Sequence, residues 1–142
     1  MHETLRKFGF PGSTIRDYDH WVVLLRPQQV TVGSMVLALK ADIRTLGEVS
    51  PEAFAEMATV TRNIQDALAA TFDARKINYL ALMMVDPQVH FHVIPRYDGP
   101  REVNGTMVQD PGWPKLPEMG RTLDLTPDSL DWIKAKLVAA WG

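Results

Sequence analysis

Short apolar runs punctuated by proline and glycine, then one long segment with a three- and four-residue rhythm, set the plan of this chain. HWVVLLRP, His20 to Pro27, is apolar, rich in valine and stopped by proline, which predicts a strand. Gln28 to Thr31 turn the chain and GSMVLALK, Gly33 to Lys40, returns, so the two runs predict an antiparallel hairpin with a loop of several residues. Ser50 can accept from the free N–H groups of a first helical turn, and Pro51 suits the first helical position, where its missing N–H costs nothing. Phe54, Met57, Thr61, Ile64 and Leu68 then form an apolar stripe, and Glu56, Arg62, Asn63 and Asp66 take the opposite face of a helix running from Glu52 to Thr71. INYLALMMVD, Ile77 to Asp86, is too short for a second long helix and opens on a β-branched residue; it predicts a strand buried on both faces, hence central. DPQ makes a tight break, and VHFHVIP follows as the next strand. An opening hairpin, a helix and two further strands predict an α+β fold with a mostly antiparallel sheet of about five strands.

The whole chain, 1–142, reads as a single domain with its core at about 13–97. The stretch 98–120 holds four prolines (Pro100, Pro111, Pro114, Pro117) and four glycines (Gly99, Gly105, Gly112, Gly120), and predicts an irregular loop. A loop of that length is either functional or a mobile surface excursion. A last helix, 126–141, opens at Thr126-Pro127 and places Leu130, Ile133, Leu137 and Trp141 on one side.

Composition narrows the function classes. Of the 142 residues, 46% are hydrophobic and 23% charged, as in ordinary globular domains, and the length is enough to bury a core without cross-links. Fifteen basic against 17 acidic residues give a net charge of -2 and no basic block, so no nucleic-acid partner is expected. The absence of cysteine excludes disulfides, thiolate nucleophiles and cysteine metal sites. The opening MHETLRKFGFPG lacks the apolar core of a signal peptide and no apolar run reaches 18 residues, which predicts a cytoplasmic protein with no membrane attachment.

The chemistry concentrates in QVHFHVIPRY, Gln88 to Tyr97, which holds two of the four histidines. Strand alternation puts Gln88, His90, His92 and Ile94 on one face and Val89, Phe91 and Val93 on the other, the natural core face. An amide and two imidazoles in a row are compatible with three readings. They are a solvated strand face, half of a metal site that still needs a third ligand, or a nucleophile with a second imidazole in reach of the same phosphate. A neutral imidazole is a good nucleophile at phosphorus near pH 7 because its unperturbed pKa lies close to that pH.

VHFHVIPRY resembles the signature strand of the histidine triad (HIT) superfamily, in which histidines alternate with apolar residues, and the Pro95-Arg96 pair resembles the fragile-histidine-triad branch. The order of hairpin, helix, strand and histidine strand from His20 to Tyr97, with the second hairpin strand starting at Gly33, is similar as well. The resemblance implies a HIT-like fold and a hydrolase or nucleotidyl transferase acting at the α-phosphate of a dinucleoside polyphosphate or nucleoside phosphoramidate. On the matching positions His90 is the nucleophile that becomes nucleotidylated, and His92 contacts the phosphate and assists the leaving group. Gln88 stands where the first histidine of the triad belongs; it can hydrogen bond but cannot carry a proton. Gln88, Asn78 and Arg96 are the candidate substrate-binding residues. Arg26 falls near a family ribose contact, and Trp113 could stack on a base or meet a second subunit. Where family members carry a polar loop before the histidine strand, this chain has only Asp86-Pro87, and Met84 and Val85 stand where an amide is usual. The alternative is therefore a nucleotide-binding module with weakened catalysis. No resident metal or cofactor is implied, although a divalent cation could accompany a polyphosphate substrate. The expected partners are a small-molecule nucleotide and a second copy of the chain, since family members commonly pair their sheets in two-fold dimers.

Overall fold

The computed structural model describes all 142 residues. In chain order the elements are α1 (Glu3–Lys7), β1 (Thr14–Asp17), β2 (Trp21–Leu25), β3 (Met35–Leu39), a single 3₁₀ turn (Leu46–Glu48), α2 (Pro51–Phe72), β4 (Lys76–Leu80), β5 (His90–Arg96), β6 (Arg101–Val103), β7 (Thr106–Val108) and α3 (Pro127–Ala140). Five strands form one antiparallel sheet in the order β1-β2-β3-β5-β4. The class is α+β, as the periodicity predicts. No helix is long and apolar enough to cross a membrane.

The ends of α2 and α3 follow their capping residues. The Ser50 hydroxyl accepts from the Ala53 N–H and the Thr126 hydroxyl from the Ser129 N–H, each just ahead of a proline in the first turn. The face of α2 that packs on the sheet is Ala53, Val60, Ile64, Ala67, Leu68 and Phe72. It is rotated from the predicted stripe: Phe54 is exposed, and the Thr61 hydroxyl turns back to the Met57 carbonyl at 2.9 Å. Two polar residues assigned to solvent are anchors instead. The Glu56 carboxylate accepts from the His20 and Trp21 N–H groups at the start of β2, and Asn63 donates to the Tyr18 hydroxyl. Periodicity gives the width of a helix face but not the bonds that fix its rotation.

The predicted central strand is corrected. Only Lys76–Leu80 pair, β4 lies at the edge against β5, and β3 is the middle strand. Beyond Leu80 the chain leaves the ladder and Met83 adopts φ +46°, so residues 82–86 form a loop with Leu82, Met84 and Val85 exposed. The apolar run is a loop wall, not a doubly buried strand. The expected irregular loop 98–120 is also corrected in part, because it contains the β6–β7 hairpin turning at Asn104-Gly105. Strand β1 and helix α1 lie outside the pattern read from sequence; both are too short to show a period.

Two cores lie on opposite faces of the sheet. Helices α2 and α3 cover one face, where Trp21, Val23, Leu37, Val89, Phe91 and Val93 meet Ile64, Leu68, Ile133 and Leu137. On the other face α1 lays Leu5 and Phe8 against Val22, Leu24, Val36 and Ala38. This second layer is what covers the polar face of β5.

The turn from β2 to β3 is held by one side chain. Gln29 Oε1 accepts from the Gly33 and Ser34 N–H groups, and its Nε2 donates to the Arg26 and Ser34 carbonyls at 2.6 and 2.9 Å. Gly33 has φ +88°, and a Cβ there would come within 2.8 Å of Leu68 Cδ2. Gly33→Ala is expected to cost about 1–3 kcal/mol in urea unfolding, from left-handed strain plus crowding against α2. An unchanged unfolding midpoint would show that the turn relaxes freely.

Candidate active site

Strand β5 carries His90 and His92 away from the main core, with Ala38 and Val36 of β3 beside them in register and Leu80 of β4 beside His92. The polar face is not solvated: His90 is 1% and His92 7% exposed, because Phe8 lies 5.8 Å from both rings. The two imidazoles stand edge to face with centroids 5.0 Å apart. They border a cavity of about 270 Å³ whose walls are Lys7 and Phe8 at the end of α1, Arg26 and Gln28 after β2, and Leu82 to Asp86 before β5.

His90 has a defined tautomer. Its Nδ1 is 2.7 Å from the Gln88 carbonyl oxygen, which can only accept, so Nδ1 carries a hydrogen and, in the neutral ring, the lone pair lies on Nε2. No protein group bonds that Nε2, and it is not among the enclosed unpartnered atoms. His92 differs: its Nδ1 is enclosed and unpartnered. Burial, then the neighbouring His90, Arg26 and Lys7, push its pKa down to about 4 against an opposing pull from Asp86. His92 is therefore uncharged at neutral pH. An acceptor placed at its Nε2 selects the tautomer with the hydrogen there.

The other predicted site residues lie elsewhere. Gln88 is 2% exposed and its amide is fully engaged: Oε1 accepts from the Thr4 hydroxyl (2.6 Å) and N–H (3.3 Å), and Nε2 donates to Asp42. It does not line the cavity that the two histidines border. Its side chain ties α1 over the strand, and its carbonyl orients His90. Arg96 and Asn78 share the histidine face, but Arg96 is two strand repeats beyond His92. It pairs with the buried Asp110 at 2.7 Å and donates to Asn78 at 2.8 Å. Asp110 also accepts from the Tyr97 and Gly112 N–H groups, so this network pins the 98–120 segment to the sheet. Within one chain, Asn78 and Arg96 border a different, shallow cavity with Pro114 and Leu116. Trp113 does not reach the histidine cavity. No three histidine, aspartate or glutamate side chains gather as a metal site.

Sequence reasoning missed Lys7, Phe8 and Gln28. The first two belong to a helix too short to announce itself. Arg26 was named from the sequence, through the resemblance, as near a ribose contact, and the structure places it in the cavity wall.

Comparison with known proteins accords with this arrangement. Residues 10–99, well over half of the chain, match the HIT domain family, and the chain belongs to that family. Among solved structures, a histidine triad protein from Sinorhizobium meliloti 1021 superposes with a TM-score of 0.75 at 23% identity, covering 99% of this chain and 95% of that one. One from Marinobacter aquaeolei VT8 gives 0.74 at 23%, over 100% and 97%. A hypothetical histidine triad nucleotide-binding protein from Sulfolobus tokodaii strain7 gives 0.70 at 13%, over 96% and 88%. At such identities the likeness is one of fold. No curated protein sequence matches the chain. Family membership supports an enzyme of hydrolase or transferase type in general.

The low pKa of His92 has a consequence for stability. An unfolded chain protonates this ring below its ordinary 6.5, whereas the folded chain resists until about 4. The contribution from keeping it neutral is thus complete above about 6.5, falls as the pH drops towards 4, and changes no further below that. Urea midpoints of the wild type should fall more steeply across this window than those of His92→Gln. Parallel curves would exclude the effect.

Proposed function

We propose that the chain is a hydrolase or nucleotidyl transferase acting at the α-phosphate of a nucleotide conjugate, either a dinucleoside polyphosphate or a nucleoside phosphoramidate. The observation that carries this reading is the His90 imidazole, with Nδ1–H held by a carbonyl and an unbonded Nε2 beside an open cavity. The Nε2 lone pair forms a bond to phosphorus as the bond to the leaving group breaks. His92 donates a hydrogen bond to the phosphate beside the departing group, which takes a proton from water. A second water then displaces the imidazole, releasing the nucleoside monophosphate and restoring neutral His90. Dividing one displacement into two is the gain of covalent catalysis. The Pro95-Arg96 pair supports placement near the fragile-histidine-triad branch.

A nucleotide-binding module with weakened catalysis is the second reading. It is favoured by the loop 82–85, whose four side chains offer no hydroxyl or amide to a phosphate. Trapping separates the two. On the first reading, substrate labelled at the α-phosphate leaves acid-labile label on the wild type, and His90→Ala shows neither label nor turnover, a loss of at least about a thousandfold. Binding without label in the wild type favours the module, and full turnover in His90→Ala removes the enzymatic assignment.

A homodimer joined through sheet edges is part of this proposal. Strand β4 has a free outer edge, and Tyr79, Leu82, Met84, Val85 and Leu116 are exposed large apolar residues. Sedimentation at micromolar concentration should give twice the chain mass; a monomer there would refute it.

A further inference from the structure

We propose that Arg26 holds the phosphate of the substrate, and that it is the one permanent charge in the pocket free to do so. The inference rests on the nucleotide chemistry proposed above and names the group that balances its charge. Three ionised side chains border the cavity: Lys7, Arg26 and Asp86. Lys7 is already spent, since its ammonium lies 2.9 and 3.0 Å from the two Asp86 carboxylate oxygens. His92 is held uncharged, and His90, as the attacking group of the proposed reaction, presents its Nε2 lone pair to phosphorus rather than a charge. The opposite wall, Leu82 to Val85, is apolar. A phosphate brings at least one negative charge into this space, and attack by an uncharged nucleophile needs that charge neutralised.

Arg26 forms no ion pair within the protein. Its Nη1 donates to the Gln28 carbonyl at 2.6 Å, its Nε is enclosed with no partner, and its Nη2 makes no hydrogen bond. This half-buried guanidinium, with an enclosed unpartnered Nε and an unbonded Nη2, has donor capacity that the protein itself does not use. Burial lowers its pKa, with Asp86 opposing, yet an arginine remains charged throughout the physiological range. The backbone holds this side chain in place. Arg26 N donates to the Ser34 carbonyl at 2.9 Å, its own carbonyl accepts from Gln29, and the ring of Pro27 keeps Arg26 out of helical backbone. With Nη1 on the Gln28 carbonyl and Nε enclosed, Nη2 is the end open to a phosphate oxygen, and its two N–H donors on a planar, permanently charged group offer a geometry that lysine cannot reproduce. The phosphate then lies between His90 Nε2 and Arg26, and the apolar part of the conjugate faces Leu82 to Val85.

The test uses the full chain with AMP, adenosine and adenosine 5′-phosphoramidate. In Arg26→Gln the affinity for AMP should fall roughly tenfold to a hundredfold, with adenosine unchanged and the circular dichroism intact. Arg26→Lys should fall between that variant and the wild type. Turnover in Arg26→Ala should recover in part with added guanidinium ion, which a merely structural role would not allow. AMP affinity in Arg26→Gln equal to that of the wild type, or an equal loss for adenosine, overturns the inference. The two proposals fail separately. A wild type that turns over the conjugate with an indifferent Arg26 refutes only this assignment. A wild type that binds AMP through Arg26 yet never forms the histidine adduct refutes only the catalytic reading. Absence of AMP binding refutes both.

Discussion

The hydrogen bond from His90 Nδ1 to the Gln88 carbonyl, at 2.7 Å, is the constraint on which the site depends. A strand with polar side chains on a covered face must give each of them a partner or carry the cost of burying it. Here one residue meets several of those demands. The Gln88 carbonyl fixes the His90 tautomer, and its amide binds Thr4 and Asp42, fastening α1 and hence Phe8 above both rings. The Gln88 side chain carries no titratable group of its own and bridges Thr4 of α1 to Asp42. That bridge makes the second core layer possible.

The electrostatics arise from the same covering. Burial and neighbouring positive charge keep His92 uncharged, while Lys7 and Asp86 cancel across the cavity mouth. The result is a pocket divided in kind: a guanidinium on the side of the β2 end, apolar side chains on the side of the loop before β5, and the two imidazoles as a further part of its lining. Such a pocket is matched to a ligand with an anionic centre and an apolar part. Its weak point is the apolar loop, which contributes packing but no side-chain hydrogen bonds to a phosphate.

Much of this was legible in one strand. The alternation in Gln88 to Ile94 assigned both faces of β5, because a period of two allows no other division once Val89, Phe91 and Val93 are placed inwards. Capping by Ser50 and Thr126 marked the starts of both long helices, since those signals act within four residues. The apolar run Ile77 to Asp86 misled because hydrophobicity alone cannot separate a buried strand from the exposed wall of a cavity. Phe54 misled for a related reason: the rotation of α2 is set by Glu56 and Asn63 reaching distant backbone and hydroxyl groups.

The sequence alone therefore determined the class of fold and the strand face that carries the two histidines, both of which rest on local periods and local hydrogen bonds. Tertiary structure decided which polar residues face the cavity. It engaged Gln88, Asn78 and Arg96 in internal bonds and brought Lys7 and Arg26 in from elements 79 and 60 residues away from Asp86. Whether a polar side chain is spent or available depends on partners remote in the chain, and no local pattern records them.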